Sequence, residues 1–524
     1  METRPDLAPP ARRPAADDPI ANFADGAAGR GFFGDEPERF HPLLWDKATA
    51  LATPASDKPE AATVVIIGGG LSGLSAAWKL RDLSPVILEG ASRFGGNAKG
   101  QRWGDLSYSI GSAYLTKGAA SAPHLGLLKA LDLDKLWRTD DPTHDSVHLD
   151  GVVHPEFWFG GTDPKRQDDF RRAWNYFADY REKHYPDIPL GPSSSMDRQT
   201  FETLDRRSFA DELQRSLGKH LHPHVEDLIH EYCWSAFGAD PSELAASAGL
   251  NFLAADLGGL YVLPAGNAAI AQTLFERLRA TLPAGSLRAR SLVVDVVAET
   301  NRVRIRYVDE RNRLRTLTAK ACIVATPKFV AKRIVRDLPA AQVEAMAKLV
   351  YRSVLVASVL LAEPRKADFH DLYFIAGQPA QDVRIEAHRR PYTDVVLATF
   401  AAGGHPSRTV LNLYHGNPYD AGRTELLMPT AYETSRAKIE SALPALLQTL
   451  GLKAASLRDI RLTRWGHGLV FPRPGILSAG IPERASEPFR ERVFFAHQDN
   501  WALPCYETAF ESGAQAAELA RKVA

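Results

Sequence analysis

A stretch near residue 65 constrains this chain more than any other. Val64-Val65-Ile66-Ile67 is a run of β-branched residues of the kind that forms a strand buried on both faces. Gly68-Gly69-Gly70 ends it, and the residues that follow set Leu71, Leu74 and Trp78 on one face of a helix. Val86-Ile87-Leu88 is a second strand, with Glu89 at its end. A glycine triplet of this spacing is weak evidence alone; strand, glycines, helix, strand and terminal acid in this order predict a dinucleotide site. Gly68 permits the tight turn, Gly70 lets the backbone approach a pyrophosphate, and Gly73 lets the helix lie close to the strand. The helix start, at Leu71 and Ser72, offers N–H groups and a positive dipole end to the anion. Glu89, followed by Gly90, is placed to accept hydrogen bonds from a ribose diol.

The rest of the chain must supply further cores, because 524 residues exceed one ordinary domain. Lys plus Arg equals Asp plus Glu at 63 each, so no net field favours nucleic acid or an anionic membrane. Cys233, Cys322 and Cys505 lie far apart, in none of the spacings of zinc sites or disulfide frameworks, which argues for no metal and a reducing, cytoplasmic setting. Residues 1–60 read as a mostly irregular extension, with Phe32-Phe33 and Trp45 packing onto the body. Its Arg12-Arg13 pair is followed by Pro14-Ala15-Ala16-Asp17-Asp18 instead of the apolar stretch of an export signal. No apolar run is long enough for a transmembrane helix.

Beyond Glu89 comes Ala91-Ser92-Arg93-Phe94-Gly95-Gly96-Asn97, an arginine and a glycine pair where a second turn can fold over the phosphates. Here the sequence resembles the superfamily of flavin amine oxidases and phytoene desaturase-like enzymes, which binds FAD with an Arg-x-Gly-Gly element. The resemblance implies that Arg93 contacts the cofactor and that Gly95, Gly96 and Asn97 run along it. It continues through Ser109-Ile110-Gly111-Ser112, where serine replaces a common acid but Gly111 and Ser112 still face the cofactor. Further on come Pro264-Ala265-Gly266-Asn267, with asparagine, tolerant of positive φ, at a usual glycine, and the strand Leu292–Val297, which in similar proteins passes the adenine and makes Val294 a candidate backbone contact. Ala325, in Ala325-Thr326-Pro327, returns the chain to the nucleotide sheet. In Val493-Phe494-Phe495-Ala496-His497-Gln498-Asp499, Asp499 is assigned to the ribityl or phosphate, and the final helix would aim its N-terminus at the flavin.

The implied fold is α/β: a Rossmann-like FAD domain of the GR2 type, interleaved with an α+β substrate domain of mixed sheet and helices. The expected division is 61–130, 262–345 and 465–524 for FAD, and 131–261 and 346–464 for substrate. Between 131 and 250 lie many aromatics, among them Phe157, Trp158, Trp174, Tyr176, Phe177, Tyr232, Trp234 and Phe237. Most read as core, a minority as pocket wall.

The expected chemistry is hydride transfer from a substrate C–H bond to FAD, with oxygen or another acceptor closing the cycle. The alternatives are an amine or amino-acid oxidase, a double-bond isomerase, and a non-catalytic FAD-binding partner. His467 is read first as a structural histidine and second as a base or polar anchor. Many flavin amine oxidases carry a lysine before a Glu-Pro-like turn; registering Glu363-Pro364 on that pattern puts Val356 there. Gly468 and Cys505 fall where paired aromatics flank an amine. Val356, Cys505 and Tyr506 are therefore candidate pocket residues, and the substrate is expected to be apolar, lipid-like or terpenoid. Cys505 precedes the last helix at a pocket position, so FAD is expected to be held without a covalent bond.

Overall fold

The computed structural model describes residues 23–25, 31–52, 59–118, 122–142, 145–184, 187–190, 196–404 and 406–524; the Arg12-Arg13 pair lies outside them. The β-branched run lies at the middle of a seven-stranded sheet. Glu60–Ile67 pairs in parallel with Val86–Leu88, Val65 opposite Val86, and with Leu314–Val324, Val64 opposite Ala321. Strand alternation then divides its side chains between two cores. Val64 and Ile66 pack with Leu74, Leu274 and Phe510, from the helices Leu71–Lys79, Ala268–Thr281 and Tyr506–Arg521. Val65 and Ile67 pack with Val296, Ile334 and Phe495 on the other face.

Leu314–Val324 changes partners along its length. Its first half pairs antiparallel with Val303–Val308, which pairs with Leu292–Ala298; its last residues pair in parallel with Val493–Phe495. The final strand thus delivers the C-terminal helix back to the first glycine turn. There Gly513 lies so close to that turn's helix that a Cβ on it would meet the Ser72 carbonyl at 2.3 Å.

The second sheet has eight strands, in the order 152–154, 146–149, 371–374, 394–397, 409–416, 350–361, 457–471 and 33–34. Its long central strand, Val350–Leu361, is flanked antiparallel by Thr409–Gly416 and Leu457–Phe471. The helical segment between the sheets supplies the aromatic core: Phe157, Trp158, Phe177, Trp234 and Phe237 are buried.

The N-terminal segment is more ordered than expected. Phe33-Gly34 adds a strand to the eight-stranded sheet, and Pro37–Trp45 and Lys47–Ala52 are helices. Phe32 meets the Tyr432 ring edge-on, whereas Trp45 stays 73% exposed. A proline at the start of the first helix removes a donor that would have had no partner there. Side-chain bonds to the body hold the segment down: Glu36 accepts from the Ser92 N–H at 2.9 Å and Arg39 donates to the Gly90 carbonyl at 3.1 Å.

Candidate functional site

Between the two sheets lies a cavity of about 790 Å³. Its wall begins at the glycine turn, with Gly68, Gly70, Leu71, Ser72, Glu89 and Gly90. Gly68 has φ +109°, and a Cβ there would meet the Ala325 carbonyl at 2.3 Å; one on Gly73 would meet the Gly68 carbonyl at 1.9 Å. The chain itself requires glycine at both positions. Gly70 differs: its Cβ would meet nothing nearer than Gly96 Cα at 3.6 Å. What glycine leaves free at Gly70 is space for something else in the cavity. The helix behind it has no side-chain cap and no acid in its first turn. Glu89 accepts from the Gly69 and Ala91 N–H groups, each at 2.6 Å, which presents its carboxylate at the wall.

Gly95, Gly96, Asn97, Gly111 and Ser112 continue the wall, and Ala325 joins it beside Gly68. Ser109, at the position of the missing acid, turns this segment: its hydroxyl donates to the Ser112 carbonyl at 2.8 Å. Positive φ falls on Ala265 and Gly266, while Asn267 is helical and donates to Ser112 Oγ and the Tyr114 carbonyl, each at 2.6 Å. Asparagine serves here by its amide and not by a left-handed backbone.

Four residues expected at the cofactor, Gly73, Arg93, Val294 and Asp499, are outside the cavity wall. Val294 is turned into a small core with Val308 and Leu314, because the strand pairing shifts between Val293 and Asp295; Leu292 and Val293 meet the cavity instead. Arg93 is outside the wall and donates to the Gly100 carbonyl at 3.3 Å. Asp499 is fully buried and also outside it. It accepts from Lys328 Nζ at 2.5 Å, from the Lys328 N–H at 2.8 Å and from the Tyr351 hydroxyl at 2.6 Å. Burial alone would raise its pKa, but His497 and Lys328 together outweigh that and hold it well below the usual carboxylate range.

The other end of the cavity is lined by Val354, Val356, Leu469, Trp465, Phe329, His467 and Gly468, and by Cys505 and Tyr506 at the start of the final helix. His467 stacks on Phe329 at 4.0 Å; burial first, then Arg423 and His41, lowers it to about 3. It is neutral at physiological pH. None of the aromatics named between residues 157 and 237 reaches the wall; Phe252, from the next helix, does.

Sequence reading missed a set of carboxyls in this end of the wall: Asp256, Asp371 and Asp394, with Tyr114, Tyr373 and Tyr414. The signal was available as alternation. Asp371 and Tyr373 point the same way from one strand, as Asp394 and Val396 do from the next, toward the cavity. Asp256 accepts from the Tyr232 hydroxyl at 2.9 Å and the Tyr114 hydroxyl at 3.2 Å; burial, only partly offset by these donors, raises it to about 7. Burial likewise raises Asp394 to about 6.

The wall fits a flavin dinucleotide. It joins an uncapped helix start, a glycine with room beside it and an acid for a diol to a largely apolar chamber. Two of its buried polar atoms, Thr326 Oγ1 and the Tyr506 hydroxyl, have no partner in the protein. Among the described residues no group of His, Cys, Asp and Glu is arranged for a metal, and no helix is long and apolar enough to cross a membrane.

Comparison with known proteins agrees with this geometry. The model of the flavin-containing amine oxidoreductases matches residues 71–520. Oxidoreductase PigB from a Serratia species is 24% identical over 90% of this chain and 78% of its own. Cyclohexylamine oxidase from Brevibacterium oxydans superposes with a TM-score of 0.63 at 18% identity, over 88% of this chain and 99% of its own. A redesigned putrescine oxidase superposes with a TM-score of 0.66 at 16% identity, over 89% and 100%. At these identities the superpositions speak for the fold, an α/β FAD-binding fold with a substrate domain.

Proposed function

This chain belongs to the family of flavin-containing amine oxidoreductases, and from that premise we propose that its FAD-dependent oxidation takes a hydride from a C–H bond seated against Val354, Val356 and Leu469. The observation that carries this reading is the continuity of one cavity from the glycine turn to that apolar wall. FAD, when bound, supplies the acceptor for the two electrons and the hydrogen nucleus of the broken bond.

The protein's part is to bind, orient and keep water out. The helix start at Leu71 and Ser72 would take the pyrophosphate, Gly70 would leave it room, and Glu89 would hold the ribose. The Leu292-Val293 backbone would border the adenine, and the start of Tyr506–Arg521 would place its positive dipole end at the flavin ring. Val356 offers neither donor nor acceptor, so no water is fixed there by a lysine; the carbon that gives up hydride meets an apolar surface. Phe329, Trp465 and Leu469 exclude solvent around it. Burial lifts two carboxyls of the wall toward neutrality, Asp256 to about 7 and Asp394 to about 6.

The cofactor is held without a covalent bond in this reading. Burial, then Glu507, pushes the Cys505 thiol well above its ordinary value, so the group stays protonated and is a poor nucleophile. Acid precipitation should leave the flavin in the supernatant.

The substrate is thus expected to present an apolar body to Val356, while the carboxyls farther along the same sheet favour the amine reading over a purely lipid-like molecule. The test is anaerobic titration of the holoprotein with amines, amino acids, fatty acids and terpenoids. Bleaching of the flavin by one class supports hydride transfer. Turnover with a fully oxidised spectrum would assign the protein to isomerisation instead.

A further inference from the structure

We propose that Glu507 and His124 form a proton path between the cavity and the surface at Gly118, with the Tyr506 hydroxyl beside them. The inference rests on the hydride-transfer reading above and deepens it by assigning a route to the proton that accompanies the hydride.

The need for a route follows from the electron count. A carbon that loses hydride to bound FAD gives up both electrons of its C–H bond, and the substrate then sheds one proton from the neighbouring nitrogen, oxygen or carbon to complete its double bond. When dioxygen closes the cycle, it takes the equivalent of that hydride and one proton and becomes hydrogen peroxide. One proton leaves the cavity and one enters in each turnover. A chamber that excludes water needs fixed groups to pass them.

The final helix, Tyr506–Arg521, packs against the helix Pro123–Ala130, and its start meets the strand Leu115-Thr116. Glu507 lines the cavity, is 2% exposed, and has one oxygen fixed by the Thr116 N–H at 2.8 Å and the Thr116 hydroxyl at 2.7 Å. Its charge acts on Asp256, another carboxyl of the wall. His124 stands outside the wall, 6% exposed, with its ring edge-on to that of Tyr506 at 5.9 Å. On its far side is the exposed Gly118, where a Cβ would come within 3.7 Å of His124 Nε2. The imidazole therefore lies between residues of the cavity and an exposed stretch of backbone.

Two buried polar atoms at this place, the Tyr506 hydroxyl and His124 Nε2, have no partner in the protein. Buried atoms of this kind are normally satisfied by ordered water, and water beside an imidazole completes a chain of donors and acceptors. Imidazole suits such a chain because one ring nitrogen accepts while the other donates. Burial holds His124 below its ordinary pKa, against the opposing pull of Glu507 and Glu511, so it hands a proton on and does not keep it. No cation is among the groups that act on it. Tyr506 and Cys505 are pushed up by burial and then by Glu507, and remain protonated.

The test uses the FAD-loaded protein reduced with dithionite, and follows the return of flavin absorbance on mixing with dioxygen, or with para-benzoquinone should dioxygen be slow. No substrate is needed. His124→Ala and Glu507→Gln are each expected to slow the return, per bound flavin, by about ten-fold or more at about pH 9, where protons are scarce, and by less than about three-fold at about pH 6. Added imidazole should restore most of the His124→Ala rate, because the emptied space adjoins the exposed Gly118. Circular dichroism establishes that the variants are folded, and His124→Gln serves in the same assay where His124→Ala is not. A second readout needs no turnover: in the apoprotein, the imidazole resonance that His124→Gln removes should titrate at lower pH in Glu507→Gln, which lacks the charge that raises it. Variants that reoxidise at the wild-type rate at both pH values, an equal slowing at both without rescue by imidazole, or a resonance unmoved by Glu507→Gln would each overturn the proposal. Anaerobic bleaching by substrate is read separately. Bleaching with variants that reoxidise normally leaves hydride transfer standing and removes the path. The pH-dependent slowing with no bleaching by any compound does the reverse.

Discussion

At the scale of single residues, Gly70 tells most. Gly68 and Gly73 are glycines for the protein's sake, each facing a backbone carbonyl that leaves no room for a Cβ. Gly70 has that room, so its small size serves the ligand. Replacing it by leucine is expected to leave the fold intact and to abolish FAD binding, because the added branches enter the pyrophosphate's space. Gly70→Ala, whose methyl fits at 3.6 Å from Gly96, should weaken binding and not remove it. The check is flavin content per chain after purification, beside far-ultraviolet circular dichroism. A Gly70→Leu protein that carries a full complement of FAD would show that the cofactor does not approach this turn.

Single residues also mark where local reasoning ends. Arg93 follows the acid at the spacing expected of a cofactor contact, yet its side chain turns to Gly100. Asp499 follows its strand as expected, yet Lys328 and Tyr351 from distant segments close around it. Val294, expected as a backbone contact, stands at the irregularity between Val293 and Asp295, and Leu292 and Val293 line the cavity. Position along the chain was legible in each case; the surroundings were not, because they depend on neighbours that sequence does not reveal.

At the scale of elements, the N-terminal segment becomes part of the site. Phe40, His41 and Leu44 of the helix Pro37–Trp45 join the cavity wall, and a Cβ on Gly90 would meet the Phe40 ring at 2.7 Å. Asp35 is tied to the long strand by accepting from the Gly466 N–H at 2.6 Å. The helix therefore closes the side of the cavity next to Glu89 and Gly90. Removing residues 1–52 takes away the edge strand Phe33-Gly34; it is expected to leave the remaining strands of both sheets folded and to speed FAD release by about ten-fold or more, since each lost apolar side chain is worth about 1.5–3 kcal/mol on burial. Recovery of flavin fluorescence after dilution measures the rate. Release at the wild-type rate would show that the segment packs on the body without holding the cofactor.

At the scale of the whole molecule, two buried acids oppose each other in pH. Asp499 is held below its ordinary pKa, so it stabilises the fold above the unfolded carboxyl's value and that contribution is lost as pH falls below it. Asp256 is raised from 3.8 to about 7, chiefly by burial, with the Tyr232 and Tyr114 donors opposing and Glu507 adding to it. Its stabilisation is complete below about pH 4 and is lost as pH rises to about 7. Asp394, raised from 3.8 to about 6, adds a loss of the same sign. The apoprotein should accordingly melt at its highest temperature in mildly acid solution. Asp256→Asn removes one share of the alkaline loss: at pH 8 it should melt higher than the wild type, with the gap closing toward pH 4. A gap that stays constant with pH would mean that Asp256 does not titrate in this range.

What the sequence determined by itself was the order of the dinucleotide unit and the family, because both rest on short-range chemistry. A β-branched strand, a glycine turn that no larger residue can make, a helix start and an acid all lie within one continuous stretch, Thr63 to Glu89. Val356 was read as a pocket residue by counting back from Glu363-Pro364 on the family's pattern, and it lines the cavity. Only the tertiary structure decided which acids meet in the cavity. Asp256, Asp371 and Asp394 come from a helix end and two strands, and nothing local marks them as neighbours. They converge because the pairing of Asp371 with Val396 and of Asp394 with Tyr414 turns alternate side chains onto one sheet face, and register is a property of partners.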